Sequence, residues 1–365
     1  MNNFNERTKN LIILSHFSKF GPASLKKINT SFADLKEVFS VSANKLLEIG
    51  LDKKIVAEFV ADRHKLNAAE ILDKMTRENI AAISIDDPLY PNLLSKIYDA
   101  PQLLYFQGDI KNLHNCLAVV GSRKHSSYGT RATETIAGEL AANGFIITSG
   151  LALGIDTIAH QAALRVKGRT IAVLGTGIDK ASIYPPANRK LAEEIVAAGG
   201  AIISELPLGT EPLRFNFPLR NRIVSGLSRG VFVVEADEKS GALITASCAL
   251  EQGREVFSLP GNIFSDFSRG TNNLIKQGAK PVTSAKEIIE SFEFEYIERD
   301  TAPKKPAPSN PEEEKIMLIL NNETVHINDI IRLSSLDTSK INSTLIIMEM
   351  KGMVKNLGGG EYTIL

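Results

Sequence analysis

The feature that most constrains the fold of this chain is a series of short apolar segments in its central region, each followed by a turn and a stretch with helical periodicity. The six segments are residues 117–120, 145–148, 170–174, 201–204, 231–234 and 255–258. They are rich in Val and Ile and lack polar alternation, which is typical of strands that are buried on both faces. Alternating strands and helices at this spacing predict a doubly wound α/β domain with a parallel sheet.

Two further domains are predicted on either side of this body. Residues 1–78 show helical periodicity without β-rich segments, and the body is placed at residues 79–295. Four prolines alternate with charged residues within 296–312, which is typical of a stiff, solvated linker. Residues 313–365 read as helix, helix, turn, helix and a glycine-containing hairpin, which is the order of a winged helix.

The charge balance limits how this chain can interact with nucleic acid. It has 42 Lys and Arg and 42 Asp and Glu, so its formal net charge is zero. A protein that coats DNA through bulk charge has a large basic excess, so any such binding here depends on a local patch. The two cysteines, Cys116 and Cys248, have no zinc-ligand spacing, and no carboxylate cluster indicates a metal. We therefore expect no metal and no cofactor.

The N-terminal region has no targeting or membrane signal. Its apolar run at residues 11–14 is much shorter than a signal-peptide core or a membrane span. The two widely separated cysteines fit a reducing compartment. These features predict a cytoplasmic protein with no membrane partner.

Glycine and polar residues follow the predicted strands, which is where ligands bind in open parallel sheets. Glycine lets the backbone approach an anion, serine offers a hydroxyl and an N–H group, and arginine makes a two-pronged contact with phosphate. Because these loops meet at one sheet edge, they predict one phosphate-binding crevice. The candidate site residues are Gly121, Ser122, Arg123 and Lys124 after the first strand, Ser149 and Gly150 after the second, Gly175, Thr176 and Gly177 after the third, Arg214, Phe217, Arg220, Asn221 and Arg222 after the fourth, and Thr245 after the fifth.

Each of these loops taken alone also fits a purely structural role. Gly-x-Gly after a strand commonly forms a tight turn, and neither a Walker loop nor a dinucleotide-type GxGxxG motif is present. Arg220 or Arg222 alternatively binds a carboxylate such as Glu235. Arg123 has a glycine-containing context that favours phosphate.

Two phenylalanines, Phe215 and Phe217, lie beside Arg214. The two rings form a core pair on an extended segment, an interpretation expected to hold for one of them, or both are exposed beside the crevice, because residues two apart in an extended segment face the same side. An aromatic ring next to phosphate-binding arginines is the usual platform for stacking an unpaired base. The segment therefore favours single-stranded nucleic acid as the ligand.

Groups suited to catalysis are few. His160 lies about one helical turn after Asp156, but no nucleophile is paired with either residue. Asp156 is interpreted as a first-turn acid or cap, which the helix dipole favours, and His160 as a core histidine. The sequence therefore predicts a binding protein and not an enzyme.

Several ordered motifs together resemble one family. They are VVGSR from Val119, SGLALGID, IAVLGTGID, YPPAN, SELPLG, PLRFNFPLRNRIVSGLS and SGALITA. The chain is similar over its whole body to the DNA-processing protein DprA family, also called Smf. The resemblance implies an extended Rossmann-like fold and single-stranded DNA binding. It also implies loading of the recombinase RecA in natural transformation and recombination, a homodimer that protects incoming DNA, and no catalytic reaction.

The resemblance also assigns roles within the crevice. It implies that Arg123 clamps phosphate, that Arg214 takes the place of a common lysine, and that Phe217 lies against the bound strand. Two departures stand out, because relatives often have lysine at the positions of Pro186 and Leu153. Possible substitutes for the lysine missing at position 186 are Arg189 and Lys190.

The flanking domains carry weaker signals. The Gly21-Pro22 turn and the residues around Gly50 resemble the hairpins of a helix-hairpin-helix, or SAM-like, domain, whose backbone amides can hold phosphate. The nearby lysines, which are Lys26, Lys27, Lys53 and Lys54, either contact DNA or form a solvated face. In the winged helix, the predicted recognition helix at residues 338–350 has one basic residue, Lys340, and is otherwise largely apolar. This composition favours protein contact or domain packing over reading of duplex DNA.

Two other functions remain open from the residues. One is a nucleotide-fold enzyme of the phosphoribohydrolase type acting on nucleoside monophosphates, although the Pro-Gly-Gly-x-Gly-Thr motif of such enzymes does not occur here. The other is a scaffold whose crevice binds nothing. The surface that contacts RecA and the dimer interface are not predicted.

Overall fold

The computed structural model describes residues 4–296, 308–321 and 324–364. It contains two compact units, Met1–Ile289 and Glu290–Leu365. Within the described ranges, no helix has the length and apolar character needed to cross a membrane. The domain boundaries given above stay predictions, and residues 297–307 of the linker region lie outside the described ranges.

The first unit begins with short helices, as the periodicity predicts. Their starts are fixed by side chains that accept hydrogen bonds from the first-turn N–H groups, such as Asn5 for Thr8 and Asp52 for Lys54 and Ile55. The helices are α1 (Glu6–Ser15), α2 (Pro22–Ser31), α3 (Ala43–Glu48), α4 (Lys53–Asp62) and α5 (Ala68–Arg77).

A nine-stranded sheet forms the centre of the first unit. Its strands are β1 (Ala81–Ser84), β2 (Leu103–Gly108), β3 (Cys116–Val120), β4 (Ile146–Ser149), β5 (Thr170–Leu174), β6 (Ala201–Ser204), β7 (Gly230–Val233), β8 (Glu255–Ser258) and β9 (Lys280–Pro281). The spatial order is β1-β2-β6-β5-β4-β3-β7-β8-β9. The strands β3 to β9 run parallel to one another, whereas β2 is antiparallel to β6 and β1 is antiparallel to β2. The predicted α/β fold with a largely parallel sheet is confirmed.

The six predicted strands correspond to β3 through β8, with each boundary shifted by at most one residue. Their apolar runs reflect burial, since all residues of β3 and β5 are buried. The apolar pattern did not predict β1, β2 and β9. These three lie at the two ends of the sheet, where burial on both faces is not required and the continuous apolar pattern weakens; β9 has two residues, both exposed.

Helices cover both faces of the sheet. They are α6 (Asn92–Ser95), α7 (Ser127–Ala142), α8 (Ile155–Arg165), α9 (Arg189–Ala197), α10 (Asn216–Gly226), α11 (Gly241–Glu251), α12 (Asp266–Lys276) and α13 (Ala285–Tyr296). One core cluster joins α1–α5 to α9 and to residues of β2, β5 and β6, so the N-terminal helices pack directly on one face of the sheet. Two polar contacts reinforce this packing: Ser15 Oγ lies 2.6 Å from Tyr105 Oη, and Lys74 Nζ lies 3.0 Å from the buried Asp179 carboxylate.

The second unit is a winged helix, as predicted. It comprises α14 (Pro311–Leu320), β10 (Val325–His326), α15 (Ile327–Ser334), α16 (Thr338–Met350), β11 (Val354–Gly358) and β12 (Glu361–Ile364). The three strands pair in the order β10-β12-β11, and glycines 358–360, all at positive φ, turn the wing. Helix α16 is the predicted recognition helix. Its Lys340 pairs with Glu312 at 2.9 Å, while Ile346, Ile347 and Met350 are exposed.

Candidate functional site

An open cleft of about 920 Å³ lies at the carboxyl ends of β3, β4 and β7, and we call it the trough. Its walls come from the loop after β3, the start of the loop after β4, the segment leading into α10 and the first turns of α10 and α11. Of the candidate residues, the trough is lined by Gly121, Ser122, Arg123, Lys124, Gly150, Arg214, Phe217, Arg220, Asn221 and Thr245. Loops distant in sequence therefore meet at one sheet edge, as the strand topology requires.

Arg123 and Phe217 form the centre of the trough. The guanidinium carbon of Arg123 lies 5.7 Å from the centroid of the Phe217 ring, within the range of a cation–π contact. The Tyr184 ring packs at 5.8 Å from the Phe217 ring, and a Cβ on Gly175 would lie 3.0 Å from Cδ1 of Phe217. The half-buried Phe217 ring is thus held in place, while the Arg123 side chain is exposed and lines the cleft.

The loop that carries Arg123 is fixed by backbone contacts from both sides. Ser122 N donates to Glu235 O at 2.8 Å, and Ile155 N donates to Ser122 O at 3.2 Å. Gly154 allows the second contact: its φ of +84° is a conformation that glycine tolerates, and a Cβ there would lie 2.4 Å from Ser122 O and 2.7 Å from Arg123 O. The glycine therefore positions the arginine loop.

We expect Gly154→Ala to destabilise the first unit by about 1–3 kcal/mol from backbone strain alone, and also to displace the arginine loop. Gly144→Ala is the matched control, because Gly144 has a φ of +83° but no atom within 4 Å of an added Cβ. The two measurements are the free energy of unfolding in urea and the affinity for a single-stranded oligonucleotide. If the two variants lose the same stability and the same affinity, Gly154 does not position the arginine loop.

Arg220 is buried beneath the trough. Its Nη1 donates to Gly150 O at 2.6 Å and to Val173 O. Burial lowers the pKa of Arg220 to about 10, and nearby Asp156 partly offsets this effect. The carboxylate of Asp156 accepts from Gly150 N at 3.0 Å and Ala152 N at 3.3 Å, although its burial raises its pKa. Arg220 and Asp156 thus hold the loop after β4.

Two protein families match parts of this chain. The family described as DNA recombination-mediator protein A matches residues 81–293, which is more than half of the chain. The chain belongs to this family. A second family description, the DprA winged helix domain, matches residues 300–360.

Relatives and solved structures agree with this assignment. Protein Smf of Synechocystis is 36% identical over 94% of this chain and 95% of its own length, and DNA processing protein DprA of Streptococcus pneumoniae is 47% identical over 60% and 76%. The crystal structure of the S. pneumoniae protein superposes with a TM-score of 0.67 at 38% identity, covering 78% of this chain and 98% of that one. A Helicobacter pylori DprA structure, described in terms of a unique single-stranded DNA binding mode, gives a TM-score of 0.53 at 34% identity, covering 59% and 96%. These descriptions give no support to a phosphoribohydrolase.

In this family member, Arg222 does not line the trough, contrary to the expectation for the arginine cluster. It lies two residues beyond Arg220 on α10, so its side chain projects to a different face of the helix. Arg222 Nη2 contacts both carboxylate oxygens of Glu205 at 2.8 Å, and its Nε lies 2.9 Å from Asp99. The alternative expectation, that Arg220 or Arg222 binds Glu235, is also wrong. The Glu235 carboxylate instead accepts hydrogen bonds from Ser126 N at 2.9 Å and Ser126 Oγ at 2.5 Å.

Four other candidates also lie outside the trough lining. Ser149 is buried, and its Oγ donates to Val119 O at 2.7 Å. Thr176 is buried as well, with its Oγ1 3.1 Å from Gly177 O, and Gly177 N donates to Thr210 O at 3.0 Å. Gly175 makes room for Phe217, as described above. These residues brace the loops from inside.

The two phenylalanines do not face the same side. The expectation of an extended segment is wrong, because α10 begins at Asn216 and Phe215 is its N-cap residue. Residues two apart at a helix start point in widely different directions. Phe217 lines the trough, whereas Phe215 is 62% exposed and lines a neighbouring cavity.

Neither suggested substitute for the lysine missing at Pro186 lines the trough in this family member. Arg189 donates to Ile183 O at 3.3 Å and Ala181 O at 2.7 Å, and Lys190 Nζ lies 3.6 Å from Glu194. Tyr184 was not among the candidate residues, but it lines the trough and is 39% exposed. Its place in a loop after a central strand could have identified this aromatic residue as a candidate.

The interpretation of Asp156 and His160 is confirmed by their positions. Asp156 lies in the first turn of α8, and its carboxylate accepts backbone N–H groups. His160 is fully buried, with Nδ1 2.7 Å from Thr170 Oγ1. Burial, and secondarily Arg220, lower the pKa of His160 to about 3. A neutral, enclosed imidazole of this kind belongs to the core.

Proposed function

We propose that the trough binds single-stranded DNA, with phosphates on Arg123, Lys124 and Arg214 and a base against the Phe217 and Tyr184 side. The observation that carries this proposal is the convergence of exposed cations and an aromatic pair in one open cleft. Guanidinium forks suit phosphate oxygens, and aromatic rings stack bases of any sequence. Gly121, Ser122 and Asn221 complete the proposed contact surface, and the buried Gly150 and Thr245 line the floor of the trough.

An unpaired strand fits this arrangement better than a duplex. A ring in a cleft can stack on a base only when that base is not paired inside a double helix. In the described part of the winged helix, the helix in the recognition position presents apolar rather than basic side chains. The H. pylori relative, described as binding single-stranded DNA, supports the same ligand class.

We further propose that the bound strand is protected and passed to RecA in the cytoplasm during natural transformation and recombination, and that the protein acts as a homodimer. The family description as a recombination mediator supports this role. Pull-down of purified RecA tests the first partner, and light scattering of the 365-residue chain tests the homodimer. Failure to retain RecA, or a monomer at micromolar concentration, would contradict the respective proposal.

Binding should depend steeply on salt, because phosphate contacts release condensed cations. For three cationic contacts to a single strand we expect a slope of log affinity against log salt of about −2. Fluorescence anisotropy of a labelled oligo(dT) across a salt series measures it, with a duplex of the same length for comparison. A salt-independent affinity, or equal affinity for the duplex, would contradict the proposed mode.

A further inference from the structure

A second cavity of about 410 Å³ lies beside the trough, and we call it the side pocket. One wall comes from the turn between α1 and α2, at Phe20, Gly21 and Pro22. Another comes from residues 205–210, which follow β6. The N-terminal helices therefore form this pocket together with the sheet domain against which they pack.

The start of α10 separates the side pocket from the trough. Arg220 lines both cavities, Phe217 faces the trough, and Phe215 lines the side pocket. Arg214 lines the trough and immediately precedes Phe215. A phosphate held by Arg214 would therefore sit on the ridge between the two cavities, with one neighbouring nucleotide on each side.

The side pocket has an exposed apolar rim. Phe215 is 62% exposed, Leu213 is 44% exposed and Leu219 is 53% exposed. Phe215 also occupies the N-cap of α10 without making a side-chain cap hydrogen bond, whereas Ser, Thr, Asp or Asn normally takes that position. Neither burial nor capping accounts for the position of this ring, which leaves its face available to a ligand.

The pocket also offers polar groups suited to the edge of a base. His16 lines it and has its Nδ1 2.7 Å from Ile12 O. With Nδ1 donating to that carbonyl, Nε2 is the acceptor nitrogen of the ring. Thr210 adds a hydroxyl whose hydrogen is directed to Pro207 O at 2.7 Å. Apolar walls with a few polar groups are typical of sites for planar heterocycles.

We infer that the side pocket receives an unpaired nucleobase of the strand bound in the trough, with Phe215 as the stacking ring and the α1–α2 turn as the opposite wall. This inference rests on the proposed function and extends it. It gives the N-terminal helices a part in DNA binding that does not depend on their lysines. It also extends the strand beyond the nucleotides that the trough alone can hold.

A single tryptophan provides a direct test, because the chain contains none. Phe215→Trp should give fluorescence that is quenched when an oligo(dT) long enough to cross the ridge is added. Phe264→Trp is the matched control: Phe264 is 86% exposed on the loop after β8 and lines neither cavity. Its fluorescence should not change.

Affinity supplies the second measurement. Phe215→Ala should weaken binding of a long oligo(dT) by about 5- to 150-fold, which is the range for loss of one stacked base. Binding of the shortest oligomers that the trough retains should be unchanged, as should binding of any length by Phe264→Ala. Thermal unfolding is expected to be unaffected because the Phe215 ring is largely exposed.

The outcomes separate the two proposals. If wild type binds and Arg123→Ala weakens binding, but Phe215→Ala matches wild type at every length, the side pocket is not a base site and the trough assignment stands. If Phe215→Ala instead changes the oligomeric state with affinity intact, the pocket holds a second copy of the chain, and the inference is wrong. If wild type binds no oligonucleotide at low salt, both proposals fail.

Discussion

Replacing Arg123 and Arg214 together by alanine should lower the affinity for a short oligo(dT) about 100-fold or more at low salt. Each arginine is exposed in the trough, and a hydrogen bond to a charged group contributes about 1.5–3 kcal/mol. Two such losses exceed 3 kcal/mol, and each 1.4 kcal/mol corresponds to a factor of ten. Because both side chains are exposed, the midpoint of the unfolding transition should not change.

The controls for this variant follow from the geometry. Arg165→Ala removes an exposed arginine at the opposite end of α8, where it pairs with Glu134 at 2.9 Å, and it should leave affinity unchanged. Arg123→Lys keeps the charge but loses the planar fork and the contact with Phe217, so it should restore part of the affinity. Wild-type affinity in the double alanine variant would exclude the trough as the DNA site.

Arg220→Met should destabilise the first unit by about 3–5 kcal/mol, which is the typical cost of leaving a buried charge uncompensated. The substitution leaves Asp156 without its countercharge and removes the donor from Gly150 O and Val173 O. Urea unfolding followed by a probe of the sheet domain measures the loss. Arg214→Met is the matched control and should change stability little, because that side chain is exposed.

The stability lost in Arg220→Met should also depend on pH. Burial raises the pKa of Asp156, and loss of Arg220, which lowers it, would raise it further. A carboxyl group whose pKa is higher in the folded state binds its proton more tightly there, so its unfavourable contribution grows as pH rises above the unfolded value. Arg220→Met should therefore be least destabilising in acid and most destabilising near neutrality. Wild-type stability combined with weakened DNA binding would assign Arg220 to direct contact instead.

The sequence by itself determined the six central strands of the sheet and the edge that carries the site. Strands buried on both faces must be apolar throughout, so β3 to β8 could be located to within one residue. The carboxyl ends of parallel strands share one edge, so the loop with Arg123 and the segment with Arg214 were predicted to meet, and both line the trough. Ordered motifs along the same body pointed to the family.

Only the tertiary structure decided which polar side chains reach that edge. Arg220 and Arg222 are two residues apart on α10. Arg220 is buried beneath the trough and donates to Gly150 O, whereas Arg222 pairs with Asp99 and Glu205 on a different face of the helix. The direction of a side chain depends on helical register and on partners far away in the chain, neither of which a local pattern records. For the same reason Phe215 and Phe217 were expected on one side and lie on two. The side pocket likewise exists because α1 and α2 pack against the sheet, and this contact between distant segments is set by folding rather than by any local motif.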